Sequence, residues 1–350
     1  MRAIVIHAAR DLRIEEQKIT APKPAQVAVK IKAGGVCGSD LHYFNHGGFG
    51  DIRLREPMIP GHEVAGQVIS VGAEVQGITV GDAVAINPSL PCGQCGYCLE
   101  GLPNHCSDMH FYGSAMRFPH VQGAFCEYLI CEARQCVVLP NGTDMHHAAF
   151  SEPLSVGLHA ANRIARTGDG LTGKRVLVSG CGPIGCLALM VARHAGAAEI
   201  VALDVADKVL SIAAEVGADR TINVMQAAAD LDDYRAGKGY FDVAIEASGV
   251  EAGIRQSLEL LRPRGVQAQL GLGGDITIPM NLAVAKEISW LGCFRFHEEF
   301  AMAANLIASG QMNVAPLLSA TIPVEQAATA FQIAGDRNQS MKVQIAFNHE

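Results

Sequence analysis

Three side chains with metal-binding chemistry fall in one short stretch. Cys37 opens Cys37-Gly38-Ser39-Asp40-Leu41-His42, and the stretch closes with Gly61-His62-Glu63. A thiolate, an imidazole and a carboxylate together suit Zn²⁺. Ser39 and His42 stand beside them and carry groups that can move a proton. Glu152, in Ser151-Glu152-Pro153-Leu154, is a distant candidate for a further carboxylate near the metal. A single Cys or His is usually a core residue. Here other features of the chain call for the same site.

The second cluster is Cys92-Gly-Gln-Cys95-Gly-Tyr-Cys98 followed by Cys106, with gaps of two, two and seven residues. Four thiolates at this spacing close a tetrahedral shell around Zn²⁺ and leave no open position, so this site is structural. The competing accounts are a chance cysteine-rich loop and a redox pair. Four clustered cysteines in a reducing compartment favour the metal. Cys126, Cys131 and Cys136 lie in the strand-like 124–139 and read as small buried hydrophobes.

The third feature is Gly180-Cys-Gly182-Pro183-Ile184-Gly185. It follows the short apolar strand Val176-Leu177-Val178-Ser179 and opens an apolar helical stretch, 186–195. Asp204 ends the next strand, 24 residues beyond Gly180. In that context the glycines admit a pyrophosphate onto a helix N-terminus, and the acid accepts the ribose hydroxyls of NAD and repels a 2′-phosphate.

The elements that position these residues divide near residue 153. Before it come short β-rich runs (3–6, 26–32, 64–71, 80–86) punctuated by glycine, with Gly34-Gly35 expected to break the second run. This is the pattern of an irregular β barrel. After it, strands (220–223, 241–246, 265–270, 288–294) alternate with helices (154–164, 208–215, 252–261), as in a doubly wound parallel sheet with glycines such as Gly271 at strand ends. Helical stretches at 300–308 and 324–335, a β-like stretch at 317–322 and a strand at 341–347 complete the chain. The expected domains are 1–152 with 296–350, and 153–295.

The bulk numbers narrow the function. Hydrophobic residues make up 49% of the 350 and charged residues 18%, which describes a globular chain. A net charge of −8 excludes a nucleic-acid surface. No apolar run spans a membrane, and 1–7 is too short and strand-like for a signal peptide. Eleven cysteines in a chain of this size indicate metal binding in a cytoplasmic protein rather than a disulfide framework.

Taken together, these motifs resemble the medium-chain, zinc-dependent alcohol dehydrogenases over nearly the whole length, and Glu152-Pro153-Leu154 resembles the family's polyol branch. The resemblance implies a GroES-like barrel and a Rossmann domain, with hydride transfer from a secondary hydroxyl of a sugar acid or polyol to NAD. It implies a catalytic zinc on Cys37, His62 and either Glu63 or Glu152, and a structural zinc on Cys92, Cys95, Cys98 and Cys106. It further implies that Ser39 bonds the substrate oxygen, His42 ends a proton relay, and Asp40 supports the zinc histidine. Gly180, Gly182, Pro183, Ile184, Gly185, Asp204 and Gly271 would hold the cofactor. The family's usual base five positions after the ribose acid is Val209 here, and Lys208 stands one earlier. Tyr43, Arg117, His120 and Arg295 are the substrate candidates, the two arginines and the histidine as carboxylate partners. Dimers or tetramers are expected. The alternatives are a threonine dehydrogenase with the same machinery, and a non-catalytic NAD(H)-binding protein that keeps only the structural zinc.

Overall fold

The computed structural model describes residues 1–168 and 170–347 and divides into two units. The first comprises Met1–Glu152, Phe300–Asp336 and the chain from Lys342 on. The second comprises Pro153–Glu299 with Arg337–Met341.

In the first unit a seven-stranded sheet is centred on the strand Gln26–Gly35. It pairs antiparallel with Glu63–Val71, Tyr128–Glu132 and Lys342–Ala346. Ala83–Ile86 and Cys136–Leu139 extend one side, and Leu318–Pro323 the other. Val27, Val29, Ile31 and Ala33 alternate along the central strand and are all fully buried. Each such valine or isoleucine contributes roughly 1.5–3 kcal/mol. The expected break at Gly34-Gly35 is corrected, because the strand runs on through both. A Cβ at Gly34 would lie 2.7 Å from the Phe125 ring, and one at Gly35 would lie 2.1 Å from Glu63 Oε2. These glycines serve close packing rather than a turn. Among the elements outside the sequence reading are the hairpin strand Asp11–Glu16 and the helix Gly38–His46 that begins directly after Cys37.

The second unit is built on six parallel strands. Their order is Arg220–Asn223, Glu199–Asp204, Arg175–Ser179, Phe241–Glu246, Leu261–Gln269 and Ser289–Gly292. Chain direction along the sheet reverses between Arg175–Ser179 and Phe241–Glu246, which is where a doubly wound fold receives its ligand. The fifth strand starts at Leu261, four residues before the expected point, directly after the helix Glu251–Leu260. That junction is capped by a buried lysine. Lys286 Nζ donates to the carbonyls of Leu258 (3.1 Å), Glu259 (2.7 Å) and Leu261 (2.8 Å), which a helix end leaves without partners.

Candidate functional site

Cys37 stands as N-cap of the helix Gly38–His46, and the Ser39 N–H donates to its sulfur. Asp40, fully buried, ties together the two ligand-bearing segments. Its Oδ2 accepts the N–H of Cys37 (2.9 Å) and its Oδ1 that of Gly61 (3.0 Å), the neighbour of His62. Gly61 has φ +91, and a Cβ there would strike the Phe125 ring at 2.1 Å, so only glycine presents His62 this way. Sulfur, ring nitrogen and carboxylate oxygen of Cys37, His62 and Glu63 lie within 4.8 Å of one another.

The charge inventory of this cluster is lopsided. Burial, then Glu63, pushes the Cys37 thiol up to about 11. Glu152 is pushed up to about 8, first by burial and then, against the pull of His62, by Glu63 and Cys37. Asp40 is raised by burial even though His62 and its two N–H donors pull it down. The fixed cation in the cluster is one that sequence reasoning missed. Lys342 Nζ, 3% exposed, bonds Glu63 Oε1 at 2.7 Å and Oε2 at 2.8 Å, and the Val36 carbonyl at 3.2 Å. Burial lowers its pKa, but Glu63 and Cys37 outweigh burial and raise it. One lysine cannot balance a thiol and three carboxyls, and His62 Nδ1 is buried without a hydrogen-bond partner. This donor set fits a divalent cation. Glu63 is nearest the other donors yet bound to Lys342, whereas Glu152 has no hydrogen-bond partner among the described residues. The signal for Lys342 was present in the sequence: Lys342 and Gln344 alternate with Val343 and Ile345 in a strand that is buried throughout.

The four cysteines Cys92, Cys95, Cys98 and Cys106 also converge within 4.8 Å. The Cys98 N–H, then Ser107, draws the Cys95 thiol down to about 5. Desolvation, then the Cys95 thiol, pushes Cys98 up to about 12. Four thiols packed this closely can all ionise only around a cation, so this set fits zinc as well.

In the second unit, the turn after Arg175–Ser179 presents Gly180 at φ +86, and Gly182 caps the helix Pro183–His194 with Pro183 in its first turn. Gly185 lets that helix close on the turn, since a Cβ would sit 1.8 Å from the Gly180 carbonyl oxygen. Asp204 is buried at the end of its strand. It accepts the N–H groups of Cys181 (2.7 Å), Val205 (2.7 Å) and Ala206 (3.1 Å), which fixes its carboxylate beside the glycine turn. Lys208 Nζ donates to the Gln339 carbonyl, and Val209 is buried. Gly271 packs on Gly249, where a Cβ would lie 2.1 Å from the Gly249 nitrogen.

Ser39 is half-buried and His42 exposed on the same helix, three positions apart. The substrate candidates differ in what already occupies them. Tyr43 is buried, and its hydroxyl accepts the Ala115 N–H at 3.0 Å. His120 has both ring nitrogens occupied: Nε2 accepts the Arg55 N–H at 2.9 Å, and Nδ1 donates to the Arg117 carbonyl at 2.8 Å. It holds the segment 113–123 against 55–59. Arg117 is exposed and paired with the exposed Asp108. Arg295 belongs to the second unit, in the left-handed region at φ +55, with its guanidinium 4.9 Å from the Phe294 ring centre.

The chain belongs to the zinc-dependent medium-chain alcohol dehydrogenases. Residues 23–141 match the alcohol dehydrogenase GroES-like domain, and 183–309 match the zinc-binding dehydrogenase domain. It is an oxidoreductase working with zinc and a nicotinamide dinucleotide. It is 44% identical to the L-idonate 5-dehydrogenase (NAD(P)(+)) of Escherichia coli K12, covering 99% of this chain and 98% of that one. The crystal structure of L-idonate 5-dehydrogenase from that organism superimposes with a TM-score of 0.94 over the same shares of the two chains. Sorbitol dehydrogenase of Gallus gallus is 35% identical, covering 98% and 95%.

Proposed function

We propose that this chain oxidises a secondary hydroxyl of a sugar acid, L-idonate to 5-keto-D-gluconate, with NAD⁺ as hydride acceptor. The observation that carries the reading is the open three-donor cluster at Cys37, His62 and Glu63, in a chain that matches an L-idonate 5-dehydrogenase end to end. Cys37, His62 and Glu63 hold the catalytic Zn²⁺, and the four cysteines hold the structural one. Bound there, Zn²⁺ supplies the Lewis acidity that lowers the pKa of an alcohol, and NAD⁺ supplies the hydride acceptor.

The chain's own residues do the rest. Asp40 fixes the Cys37 and Gly61 backbones, and so the angle at which both ligands stand. Lys342 holds the Glu63 carboxylate in place through both of its oxygens. Ser39 Oγ takes the hydroxyl proton and passes it towards the His42 ring, one helical turn on and open to solvent. Asp204 receives the adenosine ribose and disfavours a 2′-phosphate, although the L-idonate 5-dehydrogenase of Escherichia coli carries NAD(P)(+) in its name. Arg295 recognises the substrate carboxylate; its left-handed backbone is the kind of strain that functional sites retain. We place the enzyme in the cytoplasm as a dimer or tetramer joined at the edge strand Ser289–Gly292; static light scattering of the purified enzyme tests the subunit count.

Turnover of L-idonate, D-gluconate, sorbitol, xylitol and L-threonine with NAD⁺ decides the substrate. Preference for L-idonate supports this reading. Faster turnover of sorbitol replaces it with the polyol reading, which the sorbitol dehydrogenase relatives favour. A zinc content of one per chain with no turnover of any of the five points to the non-catalytic alternative.

A further inference from the structure

Glu246 ends the strand Phe241–Glu246, is fully buried, and forms no ion pair among the described residues. Its Oε1 accepts the Ser248 N–H at 3.0 Å and the Ser248 hydroxyl. Its Oε2 accepts the Gly249 N–H at 3.0 Å and Gln269 Nε2 at 2.6 Å. Four donors and no acceptor face the two carboxylate oxygens. The surroundings are shaped to admit it. A Cβ at Gly271 would lie 2.8 Å from Oε2, and one at Gly253 would lie 3.3 Å from Oε1. The Glu246 main-chain carbonyl also accepts the N–H groups of Leu270 (2.8 Å) and Gly271 (2.9 Å). One residue therefore pins the turns that end two neighbouring strands.

We propose that Glu246 is a positioning residue for the nicotinamide half of the cofactor, and that its charge favours the oxidised ring. The proposal rests on the assignment of a nicotinamide dinucleotide to this sheet. In a doubly wound sheet the dinucleotide crosses the strand C-termini at the reversal point. Gly180–Gly185 and Asp204 take the adenosine half on one side. The turns 247–249 and 270–273, both held by Glu246, face the other half. A scaffold for two turns needs acceptors but not a charge, and a buried charge without a counter-ion is costly. The oxidised nicotinamide ring is cationic and the reduced ring neutral, so a fixed carboxylate beneath that edge discriminates between them.

The test is to titrate the zinc-loaded wild type and E246Q separately with NAD⁺ and NADH, following heat for the first and fluorescence for the second. Wild type that binds neither removes the cofactor assignment itself, which is distinct from failure of this proposal. The expected result is that the ratio Kd(NAD⁺)/Kd(NADH) rises about tenfold in E246Q, equivalent to about 30 mV for the bound two-electron couple. An unchanged ratio, even with both affinities weakened, makes Glu246 a scaffold and overturns the proposal. The exchange E246Q/Q269E keeps one carboxylate and one amide in the pair and is read as well, alone if E246Q does not fold. A ratio within about threefold of wild type supports the role of charge, and a larger departure overturns it.

Discussion

The cluster at Cys37 draws its donors from separate elements and lies against the central sheet, with Glu63 on a core strand and Lys342 answering it from the last one. The four cysteines instead come from a single segment, 92–106, and the N–H groups of Cys92, Cys95 and the adjoining Asp108 donate to their sulfurs. The first cluster is therefore held by the fold, which can keep its geometry without a metal. The second supplies its own geometry only when something binds all four sulfurs. A fold-held site can leave a position open for substrate, whereas a self-held site has to be closed to hold its loop.

Removing one donor from each cluster tests this contrast with the largest effects. His62→Ala is expected to keep the fold and lose at least about 10³-fold in kcat, with zinc falling from two per chain to one. Cys95→Ser is expected to lose the other zinc and several kcal/mol of stability, seen as aggregation or a sharply lower Tm. A Cys95→Ser protein of normal Tm that is inactive would reverse the two roles. Metal analysis alongside thermal melts of both variants distinguishes the cases.

Lys342 sharpens the comparison at the next level. Lys342→Met leaves Glu63 buried without its cation, and the loss is expected to be about 3–5 kcal/mol in metal-free protein. The loss should be smaller with zinc bound, because the metal then balances the same carboxylate. Glu63→Gln in the Lys342→Met background should recover more than half of the loss, as coupled neighbours do. Equal losses with and without zinc, in urea titrations at pH 7, would mean that Lys342 does not serve the metal cluster.

The pairing of Lys342 with Glu63 also shows where the sequence stops being readable. The cysteine spacing, the glycine turn and Asp204 are local patterns whose chemistry follows from distance along the chain, and each stands in the fold where its spacing implied. Lys342 lies 279 positions from Glu63, and only strand pairing through Gln26–Gly35 brings them together. Gly34-Gly35 misled for the same reason: a turn signal in sequence became a packing device once Phe125 and Glu63 faced it. His120 carried the right chemistry for a carboxylate partner, but both of its nitrogens are spent on backbone groups that no local pattern reveals. The start of the strand at Leu261 was hidden because its helix cap is the remote Lys286.

A buried carboxylate held without a lysine or arginine provides the contrast to Glu63. Glu299 accepts from His159 Nδ1 (3.1 Å), Asn162 Nδ2 (2.9 Å) and the His297 N–H (2.8 Å). Burial would raise its pKa, but these bonds prevail and hold it at about 2, below its ordinary 4.5. A folded-state value below the unfolded one contributes stability above pH 4.5, and that contribution fades as pH falls towards 2. It amounts to at most about 3 kcal/mol. Glu299→Gln should therefore flatten the acid limb of stability between pH 5 and 3 while changing the zinc content not at all. Coincident acid limbs for wild type and variant, in urea midpoints across that range, would remove the pairing from the account.

The smallest effects separate the two arginines that sequence offered for a substrate carboxylate. Arg117 is exposed and paired with an exposed aspartate, a contact worth less than about 1 kcal/mol, so Arg117→Ala should change kcat/KM for L-idonate by less than about threefold. Arg295 is held in a left-handed backbone with its guanidinium against the Phe294 ring, so its orientation is set before any ligand arrives. If it carries the carboxylate, Arg295→Leu should cost about 1.5–3 kcal/mol in kcat/KM, the size of a charge-assisted hydrogen bond. The loss should be specific to the acid, leaving any residual turnover of sorbitol within a few-fold of wild type. Equal losses on both substrates would assign Arg295 to hydroxyl recognition, and a larger loss in Arg117→Ala than in Arg295→Leu would move the carboxylate to the segment 113–123. The comparison needs only initial rates of three proteins on two substrates. Its outcome depends on whether a strained backbone or an exposed ion pair is the better predictor of a working arginine.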